Sequence, residues 1–349
     1  MEYSNVQKPK RVEWLDIAKG IGILLVVLGH SGPSAKISWW IWSFHMPLFF
    51  VISGILFSID KYPSFGVLFT KRNSGLIRPY FFFVAISLLV EYLLNSTFGI
   101  TSVLIHGSGL ALWFIPVLYL TELFYYLLRR YLSDLLLIGC LVALSLIGFY
   151  LTILGIRFPY NAQAVFTAIA FYGFGNLGSQ KLKLFLKAIN KLRTSLLLII
   201  FIGINFIFCF LNHGRFDLFK NEMGNYLYVY LSALAGCMFV FLLSNALDHN
   251  TSIFAGFCKR IFVYLGTNTL VILGMHQVIK LALVKIFSEL NINGVLSLLG
   301  RQLLLWVFLM IFIYLFNNYL PYFIGKRQTL IKTGRNKTNP VASVGSNLN

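Results

Sequence analysis

Long apolar runs separated by short polar segments dominate this chain. Leu196–Leu211 and Leu303–Leu320 approach the roughly 20 apolar residues that a helix needs to cross a hydrocarbon core. The runs lack the two-residue alternation of a membrane barrel, and helix is the other structure that satisfies every backbone hydrogen bond in lipid. Windows of this length predict about ten helices, near Ile17–Gly32, Trp39–Ser58, Ile77–Ser96, Leu110–Leu128, Asp134–Leu154, Ala162–Gly178, Ser195–Leu211, Tyr226–Leu247, Phe262–Leu283 and Leu296–Leu320. The expected fold class is therefore all-α, a polytopic membrane helical bundle. A basic, Asn- and Ser-rich segment, 326–349, is expected to be a disordered cytosolic tail after a membrane domain over 1–325. Arg11 to Gly32 contains Glu13 and Asp16 and lacks a small-residue cleavage site, so the first helix is expected to stay in the mature protein.

Composition agrees with a chain solvated mainly by lipid: 58% of its 349 residues are hydrophobic and only 11% charged. The net charge of +18 raises the question of nucleic acid, which the placement of the basic residues answers in the negative. Of 29 lysines and arginines, 21 fall in the two terminal segments and alternate loops, five in the opposite loops, and Lys19, Lys280 and Arg301 within helices. By the positive-inside rule both termini are cytosolic. The four cysteines, Cys140, Cys209, Cys237 and Cys258, have no metal-ligand spacing and read as structural; no metal is expected.

Ionisable groups at membrane depth are costly, so each is a functional candidate. Lys19 and His30 are eleven residues apart, about three turns, which places them on one helix face with roughly 16 Å of rise between them. Asp16 lies one turn before Lys19 and can neutralise it. An interfacial ion pair with a histidine cap explains the same three residues, but the second segment brings His45 to a similar depth and points to a polar cavity. Thr269 and His276 share a face, with Lys280 a turn further. Glu91 and Asn268 are further intramembrane polar groups, whereas Glu122 and Arg301 read as structural. Gly54, Gly173, Gly175 and Gly178 mark close helix packing, and Trp39, Trp40, Trp42 and Trp113 an interfacial aromatic belt.

"RVEWLDIAKGIGILLVVLGH" followed by "FHMPLFFVISGILF" resembles the amino-terminal signature of the acyltransferase-3 family of membrane O-acyltransferases, especially its fucose 4-O-acetylase-like branch. Lys19 and His30 match its basic residue and histidine, Arg11 and Asp16 its preceding arginine and aspartate, and Phe49, Phe50, Ser53 and Gly54 its Phe-Phe-x-x-Ser-Gly pattern. The likeness continues through Arg78 and Pro79, Trp113, Phe114 and Pro116, then Gly266, Asn268, Thr269 and His276. Many relatives carry Arg-x-x-Arg where this chain has Gly75 three residues before Arg78, leaving Lys71 and Arg72 to supply that charge.

The resemblance implies transfer of an acetyl group from acetyl-coenzyme A to a sugar hydroxyl of a bacterial surface polysaccharide or its lipid-linked precursor, in the cytoplasmic membrane. It implies catalytic roles for His30, Lys19 and Asp16, with Arg11, Lys71, Arg72 and Arg78 toward the donor. His45, Glu91, Trp113, Asn268 and His276 fall to the acceptor side, and a polysaccharide assembly complex is a candidate partner. His30 fits either a general base or a transient acyl carrier. A glycolipid transporter or flippase fits the same polar inventory, although no repeat relates the two halves and matching helix interruptions would be expected.

Overall fold

The computed structural model describes residues 12–94 and 111–326. Over those residues the chain is an all-α bundle of twelve main helices: α1 (Glu13–Gly29), α2 (Ala35–Leu56), α3 (Phe65–Arg72), α4 (Arg78–Leu93), α5 (Phe114–Tyr131), α6 (Asp134–Ile153), α7 (Gln163–Ala188), α8 (Lys191–Leu211), α9 (Tyr226–His249), α10 (Ile253–Thr267), α11 (Thr269–Glu289) and α12 (Gly294–Tyr319). A π turn over Asn73–Ile77 joins α3 to α4, so the two form one span of 29 residues. Among the described residues, eight helical spans are long and apolar enough to cross a membrane. At 17 residues, α1 falls just short of that length. The likeness of Arg11 and the tail from Arg327 onward lie outside the described residues.

Burial sorts the helices by their solvent. The apolar windows of α2 and of the span containing α5 are 72% buried, whereas those of α8 and α12 are 17% and 22% buried. Leucine and isoleucine faces left bare on α8 and α12 need lipid around them, and α2 and α5 form the interior. The membrane reading thus rests on packing as well as hydropathy.

Local chemistry sets the helix ends. The side chains of Asn190, Asn225 and Ser252 accept from the backbone N–H groups of Arg193, Tyr228 and Ala255, capping α8, α9 and α10. Gly32, at φ +80°, turns the chain after α1, where a side chain would be strained.

One expected helix is two. The run Phe262–Leu283 is interrupted at Asn268 (φ −118°, ψ 18°), where α10 stops and α11 starts. The Asn268 amide donates to the Tyr264 carbonyl at 2.8 Å, and its oxygen accepts from Asn317 at 2.8 Å and from Lys326 at 3.3 Å. A side chain competing for its own helix's carbonyls explains how a continuous apolar run can still be broken. The apolar pattern continues across the break and conceals it.

Backbone contact holds α10 on α1. A Cβ added at Gly20 would lie 2.0 Å from the Phe262 carbonyl oxygen, and one at Gly266 would lie 1.8 Å from that of Asp16. The α2–α7 crossing is built alike, with Gly54 against Tyr172 and Gly175 against Val51, while Gly173 meets Leu141. Gly178, expected to pack closely, faces open space. At the same end of the bundle Lys259 bridges Glu13 and Asp248, each at 2.6 Å. Its hydrogen bonds to Asp248 and Glu13 hold the ammonium above the usual lysine range.

Because the nearest atoms at Gly20 are backbone, Gly20→Leu is expected to destabilise the protein by about 1–3 kcal/mol or more, read as a lower unfolding temperature in detergent. Gly203, with nothing within 4 Å, is the control: Gly203→Ala should hold or raise that temperature, since helical alanine is favoured by about 1 kcal/mol.

Candidate functional site

Two cavities and a cluster of rings lie along α1. The first cavity, about 820 Å³, opens at the end where the positively charged loops gather. Lys19, Lys61, Arg129, Lys181 and Lys183 line it together with Asp16, Asp60 and Asp134, and Arg129 is paired with Asp134. The second, about 180 Å³, is lined mainly by apolar side chains, including Ile23, Met46, Phe49, Phe114 and Leu273. Lys19 lines both. Its ammonium donates to Asp16 at 2.7 Å, so the charge at the join is balanced by a carboxylate from the preceding turn of the same helix.

The ring cluster lies at the other end of α1. His30 is the residue at which α1 ends. Its ring is 5.3 Å from that of His276 and 5.6 Å from that of Trp42, and Trp42 is in turn 5.4 Å from His45, centroid to centroid. The guanidinium of Arg215 stacks over Trp42 at 4.0 Å and is paired with Asp217 at 2.6 Å. His276 is there because α11 starts beside Lys19, where Thr269 and Leu270 line the second cavity, and runs outward alongside α1.

Hydrogen-bond partners assign the ring protons. In His45 and His276, Nδ1 donates to carbonyls of the preceding helical turn, at 2.8 Å to Ile41 and 2.9 Å to Ile272. Neutral rings held this way keep a lone pair on Nε2, and that of His276 is buried without a hydrogen-bond partner. His30 is the reverse. The oxygen of the Gln277 amide accepts from the Ala111 backbone N–H at 2.7 Å, which turns its nitrogen to His30 Nδ1 at 3.0 Å. Neutral His30 therefore accepts at Nδ1 and carries its proton on Nε2. One ring can give a proton and its neighbour can take one.

The remaining predicted residues are placed as follows. Arg72 is paired with buried Glu122 at 2.6 Å, and Tyr172 donates to the same carboxylate at 3.2 Å. Arg78 stacks on Tyr322 at 3.8 Å, and Lys71 donates to the Lys61 carbonyl at 3.1 Å. None of these three cations lines either cavity. Glu91 is buried on α4, and Trp113 is buried just before α5 beside Phe114 and Phe219. Asn268 is engaged at the break, eight residues before His276. Sequence reading passed over Gln277 and Arg215 and took Trp42 for a belt residue. The adjacency of Gln277 to His276 was the one visible signal, and its contact with His30 spans 247 positions. No group of three or more His, Cys, Asp or Glu among the described residues could hold a metal ion.

A helical bundle with paired cavities and a histidine cluster is the setting in which the comparison with known families falls. The model of the acyltransferase-3 family, described as an acyltransferase domain, matches residues 12–324. The chain belongs to that family and is a multi-pass membrane acyltransferase. Neither the search of curated proteins nor that of solved structures gave a match.

Gln277→Leu should remove the donor that holds the His30 tautomer. With ¹⁵N-labelled histidine, where protonated and unprotonated ring nitrogens resonate in separate regions, the variant should show one ring losing its Nε2–H preference while His45 and His276 keep their Nδ1–H signals. Three unchanged rings would contradict the assignment.

Proposed function

We propose that this chain transfers an acetyl group from cytosolic acetyl-coenzyme A to a sugar hydroxyl of a bacterial surface polysaccharide or its lipid-linked precursor, as in the fucose 4-O-acetylase-like branch, within the cytoplasmic membrane. The observation that carries this reading is the order of features along α1: a vestibule whose wall carries more cations than carboxylates, an apolar chamber that shares Lys19 with it, and, at the end of the helix, His30 with the His276 ring 5.3 Å away. The vestibule suits the phosphates of the donor, with Lys61, Lys181 and Lys183 as partners, while Arg129 is held by Asp134 in its wall. Lys71, Arg72 and Arg78 are already engaged within the chain and support the surrounding helices. The narrow chamber suits the uncharged arm of the donor, and Lys19, balanced by Asp16, guards its entrance. A polysaccharide assembly complex would deliver the acceptor from the opposite end.

In this reading the acceptor hydroxyl attacks the thioester carbonyl beside the histidine pair. A proton must leave that hydroxyl as the new ester bond forms, and the thiolate of coenzyme A leaves as the carbon–sulfur bond breaks. His276 Nε2 has the vacant lone pair for that proton, and a neutral imidazole can serve as the base. His30 Nε2–H is a hydrogen-bond donor for the carbonyl oxygen as negative charge develops there. His45 and Trp42 wall the acceptor side.

Cells lacking the gene, complemented with native protein or with His30→Ala confirmed in the membrane, test the reading by glycan mass. The native protein should restore one acetyl per repeat and the variant about 10²-fold less or none. Full restoration by the variant would remove His30 from the mechanism, and a glycan unchanged by deletion would remove the acetyl-transfer reading. His276→Ala should fail in the same assay.

A further inference from the structure

At the histidine end, on the far side of His30 from the chamber, Lys280 of α11 and Arg301 of α12 line a third cavity. Ser31, next in the chain to His30, and Gln302 add polar groups, while Leu283 and Leu305 are among its apolar lining. Lys280 donates to the His30 carbonyl at 2.5 Å, so the cavity abuts the proposed reaction centre.

These two cations differ from most others at that end, and from Lys36, which also lacks a carboxylate among the described residues but is exposed and lines no cavity with them. Arg215 is paired with Asp217 at 2.6 Å, Arg157 and Lys220 share Glu222 at 3.9 Å, and Lys285 has Glu289 at 4.0 Å. Neither Lys280 nor Arg301 pairs with a carboxylate among the described residues, and no carboxylate lines their cavity. Their hydrogen bonds are to neutral carbonyls, and Arg301 uses only Nε, to Ser297 at 3.2 Å, which leaves both terminal nitrogens of its fork open. Two like charges at the edge of a hydrocarbon layer call for a counter-ion.

Size and surroundings narrow the ion. The cavity holds about 40 Å³, room for about three waters and hence for the oxygens of one phosphate group. A planar arginine fork beside a lysine point charge is a donor set suited to phosphate. The apolar wall is continuous with α12, whose apolar face is mostly bare, so the anion's carrier can lie in lipid.

We propose that Lys280 and Arg301 bind the phosphate of a lipid-linked glycan, holding the sugar that it carries beside His30 and His276. The assignment rests on the acetyl-transfer reading for the identity of the sugar as acceptor; the phosphate site itself does not. It also makes the acceptor a membrane-borne precursor, selected by its phosphate before any sugar contact.

Binding to the purified full-length protein in detergent tests the site without acyl transfer. The probes are a long-chain prenyl phosphate, the prenyl alcohol of the same length, inorganic phosphate and phosphatidylglycerol. The prenyl phosphate should bind native protein at least about tenfold more tightly than the alcohol, and Arg301→Gln and Lys280→Gln should each abolish that preference, as loss of a charge-assisted contact requires. Arg301→Lys should retain part of it, and Arg301→Gln should leave affinity for acetyl-coenzyme A and the unfolding temperature unchanged. Equal binding of alcohol and phosphate, or a preference that survives both Gln variants, overturns the site. Equal binding of phosphatidylglycerol or inorganic phosphate overturns its assignment to a glycan carrier. A chain that binds prenyl phosphate as expected yet transfers no acetyl group keeps the site and loses the acetyl-transfer reading.

Discussion

The contact of α1 with α10 through Gly20 and Gly266 is the constraint on which the rest of the molecule depends. With no side chain at either position, backbone meets backbone, and the Phe262 and Asp16 carbonyls occupy the space that a Cβ would take. Membrane helices gain no hydrophobic drive from meeting one another, so close dispersion contact of this kind is what holds them. The crossing sets the depth of α10 relative to α1. The interruption at Asn268 then releases the chain to run outward as α11, and His276 arrives at His30 as a consequence. A continuous helix over the same residues would carry His276 along the direction of α10 instead.

That geometry gives the two polar regions different electrostatic character. At Lys19 the charge is balanced within its own helix by Asp16, a pair that can sit between two cavities at modest cost. At His30 the rings are sorted instead by backbone carbonyls and one amide. A neutral proton donor and a vacant lone pair on rings 5.3 Å apart need no net charge in a region where charge is expensive. Arg215, countered by Asp217, stacks on Trp42.

Buried Glu122 shows the same economy elsewhere. Arg72 and Tyr172 both reach it, and Tyr125 and Asn176 extend the polar contacts among α5, α7 and α2. Removing one partner of such a pair leaves the other charged and unsolvated, a loss of about 3–5 kcal/mol, which ties the π turn at Asn73–Ile77 to the bundle core. The same face of α5 also holds the turn through Tyr119, whose hydroxyl donates to Asn73 at 2.6 Å. Arg72 is thereby a strut between helices.

Hydropathy and glycine placement are local or periodic properties, and they are enough to read the helical class, the Asp16 partner of Lys19, and the tight packing at Gly54 and Gly175. They are legible because lipid imposes one rule on every residue that enters it. The break at Asn268, the meeting of His30 with His276, the tautomer set by Gln277 and the unpaired state of Lys280 and Arg301 were not legible. Each depends on side chains hundreds of positions apart, or on whether an amide finds a better partner than its own helix offers. Those outcomes are settled by competition among contacts that exist only after the helices have packed.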